Sequence, residues 1–294
     1  MGQKNTYKKG FIPYALAAFL FGIVGGFSTV LGPAFVQDIS IAYNKTTRTA
    51  LAQAMSTAAC APVLGKLGDV IGRRTTLLLG IAVYGIGNGI SALADSLLFM
   101  MIARFIVGIG SAAITPVVLA YIVTEFPPNA VAKGFSLYML ISSASVVFGP
   151  TLGGLMIQAY GWRAMIWVCV IISAIVFLVC LITHEKTGGS RKSLTDFDGT
   201  GALLVLIFFS LVLCIPSFGQ NFGWSSIAFL GVLIAAVISL AGLILAEKRA
   251  KNPILPGSFI KRKAFILCSC LIPYPGTDAG QHDQHHRVCE LHPA

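Results

Sequence analysis

The chain has 294 residues, 56% of them hydrophobic and only 11% charged, with a mean hydropathy of +0.82; soluble domains carry about 45–50% apolar and about 25% charged residues. So little polar surface cannot cover a soluble core of this size, which makes a lipid bilayer the expected solvent and excludes most soluble enzymes. A net charge of +10 would suit nucleic acid, but the basic residues fall between apolar runs, so their placement carries more information than their number.

A membrane-spanning helix needs about 20 mostly apolar residues. Eight windows meet that requirement: 12–36, 49–67, 75–94, 97–123, 134–157, 164–183, 200–218 and 227–246. Each is expected to be helical, because a helix satisfies its own backbone polar groups in hydrocarbon and no period-two alternation is present. The first window is about 25 residues long and lacks a small-residue cleavage site, so it is expected to remain as a spanning helix rather than be removed as a signal peptide. Short connections around Asp95 and Gly161 imply antiparallel neighbours.

Counting Lys and Arg in alternate connections gives sixteen on the side of Lys4, Lys66, Arg73, Arg74, Lys133 and Lys186, against three on the other, Lys45, Arg48 and Arg163. The positive-inside rule then places the N-terminus in the cytoplasm. The basic excess is thereby accounted for by topology, with an anionic leaflet as its partner, and no nucleic acid is expected. Seven cysteines show neither zinc spacing nor a disulfide framework; Cys60, Cys169, Cys180 and Cys214 lie within apolar runs and are expected to be buried thiols.

Residues 185–198 form the longest polar break, dividing six windows from two, and read as a cytoplasmic linker. Lys261, Arg262 and Lys263 precede nine apolar residues, 264–272, which open a further span without completing one. From 272 to 294 the apolar runs cease, and His282, His285, His286 and His292 appear beside Asp283. Metal capture by that group is the functional alternative to a tail without fixed structure; the expectation is no metal and no cofactor.

Three stretches carry chemistry. After the second window come Gly65, Lys66, Gly68, Asp69, Gly72, Arg73 and Arg74; glycines suit a tight turn and close helix approach, and an acid among bases offers a charge for a neighbouring helix end. An ordinary positive-inside turn would explain Arg73 and Arg74 but not Asp69. Glu125, at the end of the fourth window, lies on the same side. Arg104 sits about a third of the way into the fourth window, ahead of Gly108 and Gly110. A cation at that depth costs at least about 2.5–3.5 kcal/mol and is expected to face the bundle interior or a water-filled cavity, the alternative being snorkelling along lipid. In the fifth window Gly149, Pro150, Gly153 and Gly154 combine a bend with small-residue packing.

In this order, on the second, fourth and fifth spans, these stretches resemble the major facilitator superfamily of secondary transporters, with Gly161, Trp162 and Arg163 opening the sixth. Asp196, Asp198, Gly199 and Gly201 before the seventh span, Gly223 and Trp224 before the eighth, and Pro253, Ile254 and Leu255 after it look like the central helix pair of the fourteen-helix drug:proton antiporters. The resemblance covers residues 13–265 and implies a six-helix transport domain (1–187) built as two inverted three-helix repeats, a linker with an extra two-helix hairpin (188–250), and the start of a second domain (251–294) ending in unrelated sequence. It implies Arg104 as a charge relay, Gly65, Asp69, Gly72, Arg73, Arg74 and Glu125 as an inner gate, and Gly149, Pro150, Gly153 and Gly154 as the antiporter helix motif.

This sequence departs from the family pattern at Val70, Val107 and Ser145, and none of the eight windows has an internal Asp, Glu or His, so proton coupling is implied by the resemblance alone. The resulting expectation is an all-α multi-pass protein of the inner or plasma membrane, a secondary transporter exporting small amphipathic compounds in exchange for protons. The alternative is a truncated bundle with no transport of its own. Catalysis is not expected: Gly85, Gly87 and Gly89 lie inside a span and not at a strand-to-helix turn.

Overall fold

The computed structural model describes residues 3–38, 46–182, 199–223 and 226–249. Within them every regular element is an α-helix: α1 (Gln3–Asp38), α2 (Thr46–Ile71), α3 (Arg73–Ala92), α4 (Leu97–Glu125), α5 (Val131–Ile182), α6 (Gly199–Phe222) and α7 (Ile227–Arg249). Residues 183–198, Trp224 and the whole stretch from 250 onward, which hold the linker, part of the helix-pair motif and the histidine-bearing tail, lie outside the described residues.

Each of the eight apolar windows coincides with a helix or part of one. The fifth and sixth fall within α5, whose 52 residues would reach about 78 Å if straight, more than twice the hydrocarbon thickness. Gly161 divides it: φ 82° and ψ 165° leave the helical region, a conformation an L side chain rarely adopts. No loop intervenes; one glycine reverses the chain between a leading arm (131–160) and a trailing arm (162–182). Backbone dihedrals remain helical through Pro150.

Among the described residues, five stretches are long and apolar enough to cross a membrane: Phe11–Asp38, Arg73–Ala92, Leu97–Glu125, Val131–Ile182 and Phe229–Ala246. Helix α2 is less apolar than these because it carries Gln53, Ser56 and Thr57 at mid-length, facing other helices rather than lipid.

Small residues set the helix crossings. A methyl group on Gly26 would lie 2.7 Å from Gly149 Cα and 2.9 Å from Pro150 Cδ, and one on Gly153 would lie 2.9 Å from Phe27. With Gly22 against Ser145, positions 22, 26 and 27 of α1 meet 145, 149 and 153 of α5 in turn, bringing the two backbones together. Helix α4 uses the same device on two sides. Gly108 admits Ser56 of α2, while Gly80 and Gly87 of α3 admit Ala113 and Val107. The trailing arm of α5 returns along α3, with Ser173 beside Gly85. Helices α6 and α7 pair with each other, and α6 rests on α2.

The core of this bundle includes Leu20, Phe35, Tyr84, Met100, Ile114, Ile122 and Ile166. Large apolar side chains also cover its outside, among them Ile86, Leu98, Ile102, Phe148, Ile171 and Ile238. In water such an extensive apolar surface would drive aggregation; in lipid it is the ordinary outer face of a spanning bundle. Of the four window cysteines, Cys169 and Cys180 are buried, whereas Cys60 and Cys214 are only half-buried. The expectation of four buried thiols therefore holds for two, because an apolar window does not tell lipid-facing from core-facing positions.

Gly154 has open space where a side chain would go, although it belongs to the same motif as Gly149 and Gly153. Gly149→Leu is expected to lower the thermal unfolding midpoint of the purified protein, consistent with an overpacking cost of about 1–3 kcal/mol, while Gly154→Leu leaves it nearly unchanged. Thermal unfolding in detergent or nanodiscs separates the two.

Candidate functional site

Helix α4 opens at Ser96, whose hydroxyl accepts from Phe99 N at 3.3 Å, and its second turn carries Arg104. The side chain is directed into the bundle: Arg104 is only 4% exposed, which overturns the lipid-snorkelling alternative. Its Nη1 donates to Ser28 Oγ of α1 at 3.3 Å and to Gln53 Oε1 of α2 at 3.4 Å. Gly108, one turn further along, allows α2 to come close enough for Gln53 to reach. Nε has no hydrogen-bond partner, and the same holds for two further buried atoms, Tyr84 Oη and Asn88 Oδ1 of α3. Among the described residues no carboxylate lies within ion-pair distance of Arg104. A buried guanidinium held only by neutral acceptors is costly, since hydrogen bonds offset part of its desolvation and no opposite charge offsets the rest.

Ser28 and Gln53 also line a cavity of about 800 Å³ between α1, α2 and α4. Its wall is mostly apolar, with Phe21, Leu119, Pro62, Pro116 and several alanines, set with the neutral polar groups of Thr29, Thr57, Ser111 and Thr115. Thr57 Oγ1 donates to Gly108 O at 3.2 Å and lies 2.8 Å from Ser111 Oγ. A volume in the range of drug-sized ligand sites, with a few oriented polar groups in an apolar wall, is the form of a small-molecule pocket.

At the end of the bundle holding the α2–α3 turn, Arg73 lies 4.0 Å from Asp69 Oδ1 and 3.8 Å from Glu125 Oε1, and its Nη1 also donates to Thr124 Oγ1. The motif around it is mostly helix rather than loop. Gly65, Lys66, Gly68 and Asp69 belong to the last turns of α2, and Gly72 alone, at φ 96°, makes the turn. Gly65 packs on Pro116 and Gly68 on Val117 of α4. Arg74 does not join the acidic residues: Nη2 donates to Leu181 O at 2.7 Å and Cys180 O at 3.4 Å, capping the carbonyl end of α5. The family-implied cluster is thus divided, Arg73 joining α2, α3 and α4 while Arg74 ties α3 to α5.

The opposite end has a clasp of its own. Arg163 of the trailing arm pairs with Asp38 Oδ2 at 3.1 Å and Asp95 Oδ1 at 2.8 Å. Trp162 Nε1 donates to the same Asp38 oxygen at 3.0 Å, and the Arg163 guanidinium lies 4.4 Å from the centre of the Trp162 ring. One arginine therefore joins the end of α1, the α3–α4 turn and the kink of α5. Sequence reasoning noted Trp162 and Arg163 without their acidic partners. Asp38 ends an apolar helix on the same side as Arg163, and that alternation of ends was the available signal. The cavity polar groups were likewise missed; Gln53, an amide in the middle of a span, was the one that stood out by type.

Arg104→Met is expected to leave the thermal unfolding midpoint unchanged or to raise it, because an apolar side chain of similar length removes an uncompensated charge. Glu125→Gln is expected to shift stability by no more than about 1 kcal/mol, the range of solvent-exposed ion pairs. Paired unfolding curves of the two variants and the parent protein check both.

A multi-pass helical bundle, apolar outside, with an interior arginine beside a drug-sized cavity and ion pairs at both ends, has the build of a membrane transport domain. Comparison with known proteins gives the family: the chain belongs to the Major Facilitator Superfamily, whose profile matches residues 14–277. It is 27% identical over 217 residues to Multidrug resistance protein 3 of Bacillus subtilis (strain 168), covering 74% of this chain and 42% of that protein. It is 31% identical over 195 residues to the Tetracenomycin C resistance and export protein of Streptomyces glaucescens, covering 65% of this chain and 36% of that one. The chain thus spans less than half the length of these curated relatives. Among solved structures, the POT family transporter PepTSo superposes with a TM-score of 0.56 at 17% identity, over 83% of this chain and 54% of that one, a likeness of fold.

Proposed function

We propose that this chain is the transport domain and central helix pair of an exporter of small amphipathic compounds, seated in the cell membrane with its N-terminus in the cytoplasm and driven by proton antiport. In this reading residues 1–187 form the six-helix transport domain, 188–250 the linker and extra hairpin, and 251–294 the start of a further segment. The observation that carries the proposal is Arg104, a buried cation with no carboxylate within ion-pair distance among the described residues, hydrogen-bonded to two residues of the cavity wall. A group so costly to keep buried is what a substrate or charge pathway would retain. Similarity to relatives named for multidrug resistance and for tetracenomycin C export supports drug-like cargo.

The arrangement suits alternating access. Arg73 with Asp69 and Glu125 would hold the cytoplasmic end closed, Arg163 with Asp38 and Asp95 the external end, and exchange between them would expose the cavity to one side at a time. Each pair is partly exposed and individually weak, as a latch that opens in every cycle requires. The Gly149, Pro150 and Gly153 face of α5, packed on α1, would transmit the movement. The proton as coupling ion follows the resemblance to drug:proton antiporters. The described carboxylates Asp38, Asp69, Asp95 and Glu125 stand at the two ends of the bundle, where protonation would release an arginine.

Purified protein in proteoliposomes, loaded with a fluorescent amphipathic compound and subjected to an imposed pH gradient, is expected to move the compound, with a protonophore abolishing the movement and Arg104→Met reducing it at least about tenfold. Movement that ignores the gradient would contradict proton coupling. Absence of both movement and binding would contradict the exporter reading and favour a bundle with no transport of its own.

A further inference from the structure

Building on the exporter reading of the α1–α2–α4 cavity, we infer that this site takes neutral or anionic amphipathic compounds and discriminates against lipophilic cations. The inference comes from the signs of the charges around the cavity. The lining contains apolar side chains and the neutral groups of Ser28, Thr29, Gln53, Thr57, Ser111 and Thr115, with no carboxylate among the described residues. Among the described residues Phe21 is the single aromatic ring in that wall, which is too few ring faces for an aromatic cage. A cation entering here would lose its hydration shell and gain neither an opposite charge nor a set of ring faces in exchange.

The nearest fixed charge has the wrong sign for a cation. Arg104 stands immediately behind the wall, holding both Ser28 and Gln53 through Nη1, and its Nε is an unused donor. The described carboxylates at the bundle ends are already engaged with arginines: Asp69 and Glu125 with Arg73, Asp38 and Asp95 with Arg163. Among the described residues the charge of Arg104 is therefore uncompensated, and in a low-dielectric interior it gives the cavity a positive potential that favours an incoming acid and opposes an incoming ammonium. The hydroxyl and amide groups of Ser28, Gln53, Thr57 and Thr115 would meet the polar end of the bound compound, and the apolar wall its body.

The test uses the purified chain in nanodiscs of zwitterionic lipid, so that surface charge does not sort the ligands. Three dansyl probes with the same alkyl chain, ending in a carboxylate, a primary amide or a quaternary ammonium, are titrated by energy transfer from the protein's tryptophans. The carboxylate and amide probes are expected to bind, and the ammonium probe to bind about tenfold or more weakly than the carboxylate. In Arg104→Gln the carboxylate-to-ammonium affinity ratio is expected to collapse toward one, and in Arg104→Lys to persist.

An ammonium probe that binds as tightly as the carboxylate would overturn the inference while leaving the exporter reading intact. An unchanged ratio in Arg104→Gln would overturn the assignment of the selectivity to Arg104. If none of the three probes binds, the cavity is not a ligand site, and the exporter reading of it falls together with the inference.

Discussion

A guanidinium buried between three helices, with a serine and an amide as its acceptors and no carboxylate among the described residues within ion-pair distance, is the constraint on which the arrangement of this bundle turns. Arg104 can be accommodated only if α1 and α2 both approach α4 closely enough for Ser28 and Gln53 to reach it. That approach depends on residues without bulk at the crossings. Gly108 admits α2, and the glycine ladder of α1 and α5 holds α1 in place from the other side. The hydrogen bonds offset part of the desolvation, and the uncompensated remainder is a stability cost carried at a position where an apolar residue would pack more favourably.

The same chemistry is organised differently at the bundle ends. There arginines meet carboxylates at partly exposed positions, each pair contributing on the order of 1 kcal/mol or less. Small contributions at two ends and a fixed cost in the middle make a body whose interior is set while its ends are easily released. Helix α1, which ends at the Arg163 clasp, and α4, which begins just after Asp95, both line the cavity, so in the proposed cycle release of that end would act on the space beside Arg104.

Much of this was legible in the sequence. The eight apolar windows each fall on a described helix or part of one, because a bilayer demands length and hydropathy, both of which are local properties. Arg104 declared itself by type and depth, and Gly149 and Gly153 announced a close helix approach without naming the helix that makes it. What sequence reasoning missed depended on which helices become neighbours. Asp38 and Asp95 gain meaning only when three helix ends meet at Arg163, and Arg74 leaves the acidic cluster because the end of α5 lies closer. Gly154 matches a motif and packs on nothing, while Gly149 five residues earlier is pressed against Gly26. The cavity itself, formed by α1, α2 and α4, is non-local, since no single helix carries its pattern.

If the mostly apolar cavity beside Arg104 is a ligand site inside a membrane-spanning bundle, it must admit water while the outer face of the bundle meets lipid. In a cysteine-free background, single cysteines at Thr57 and Thr115 can be compared with cysteines at Ile102 and Phe105, which face outward, by labelling in membranes with a water-soluble maleimide. The structure predicts rapid modification of the first pair and little of the second. Labelling of Ile102 and Phe105 positions with protection of Thr57 and Thr115 would contradict it.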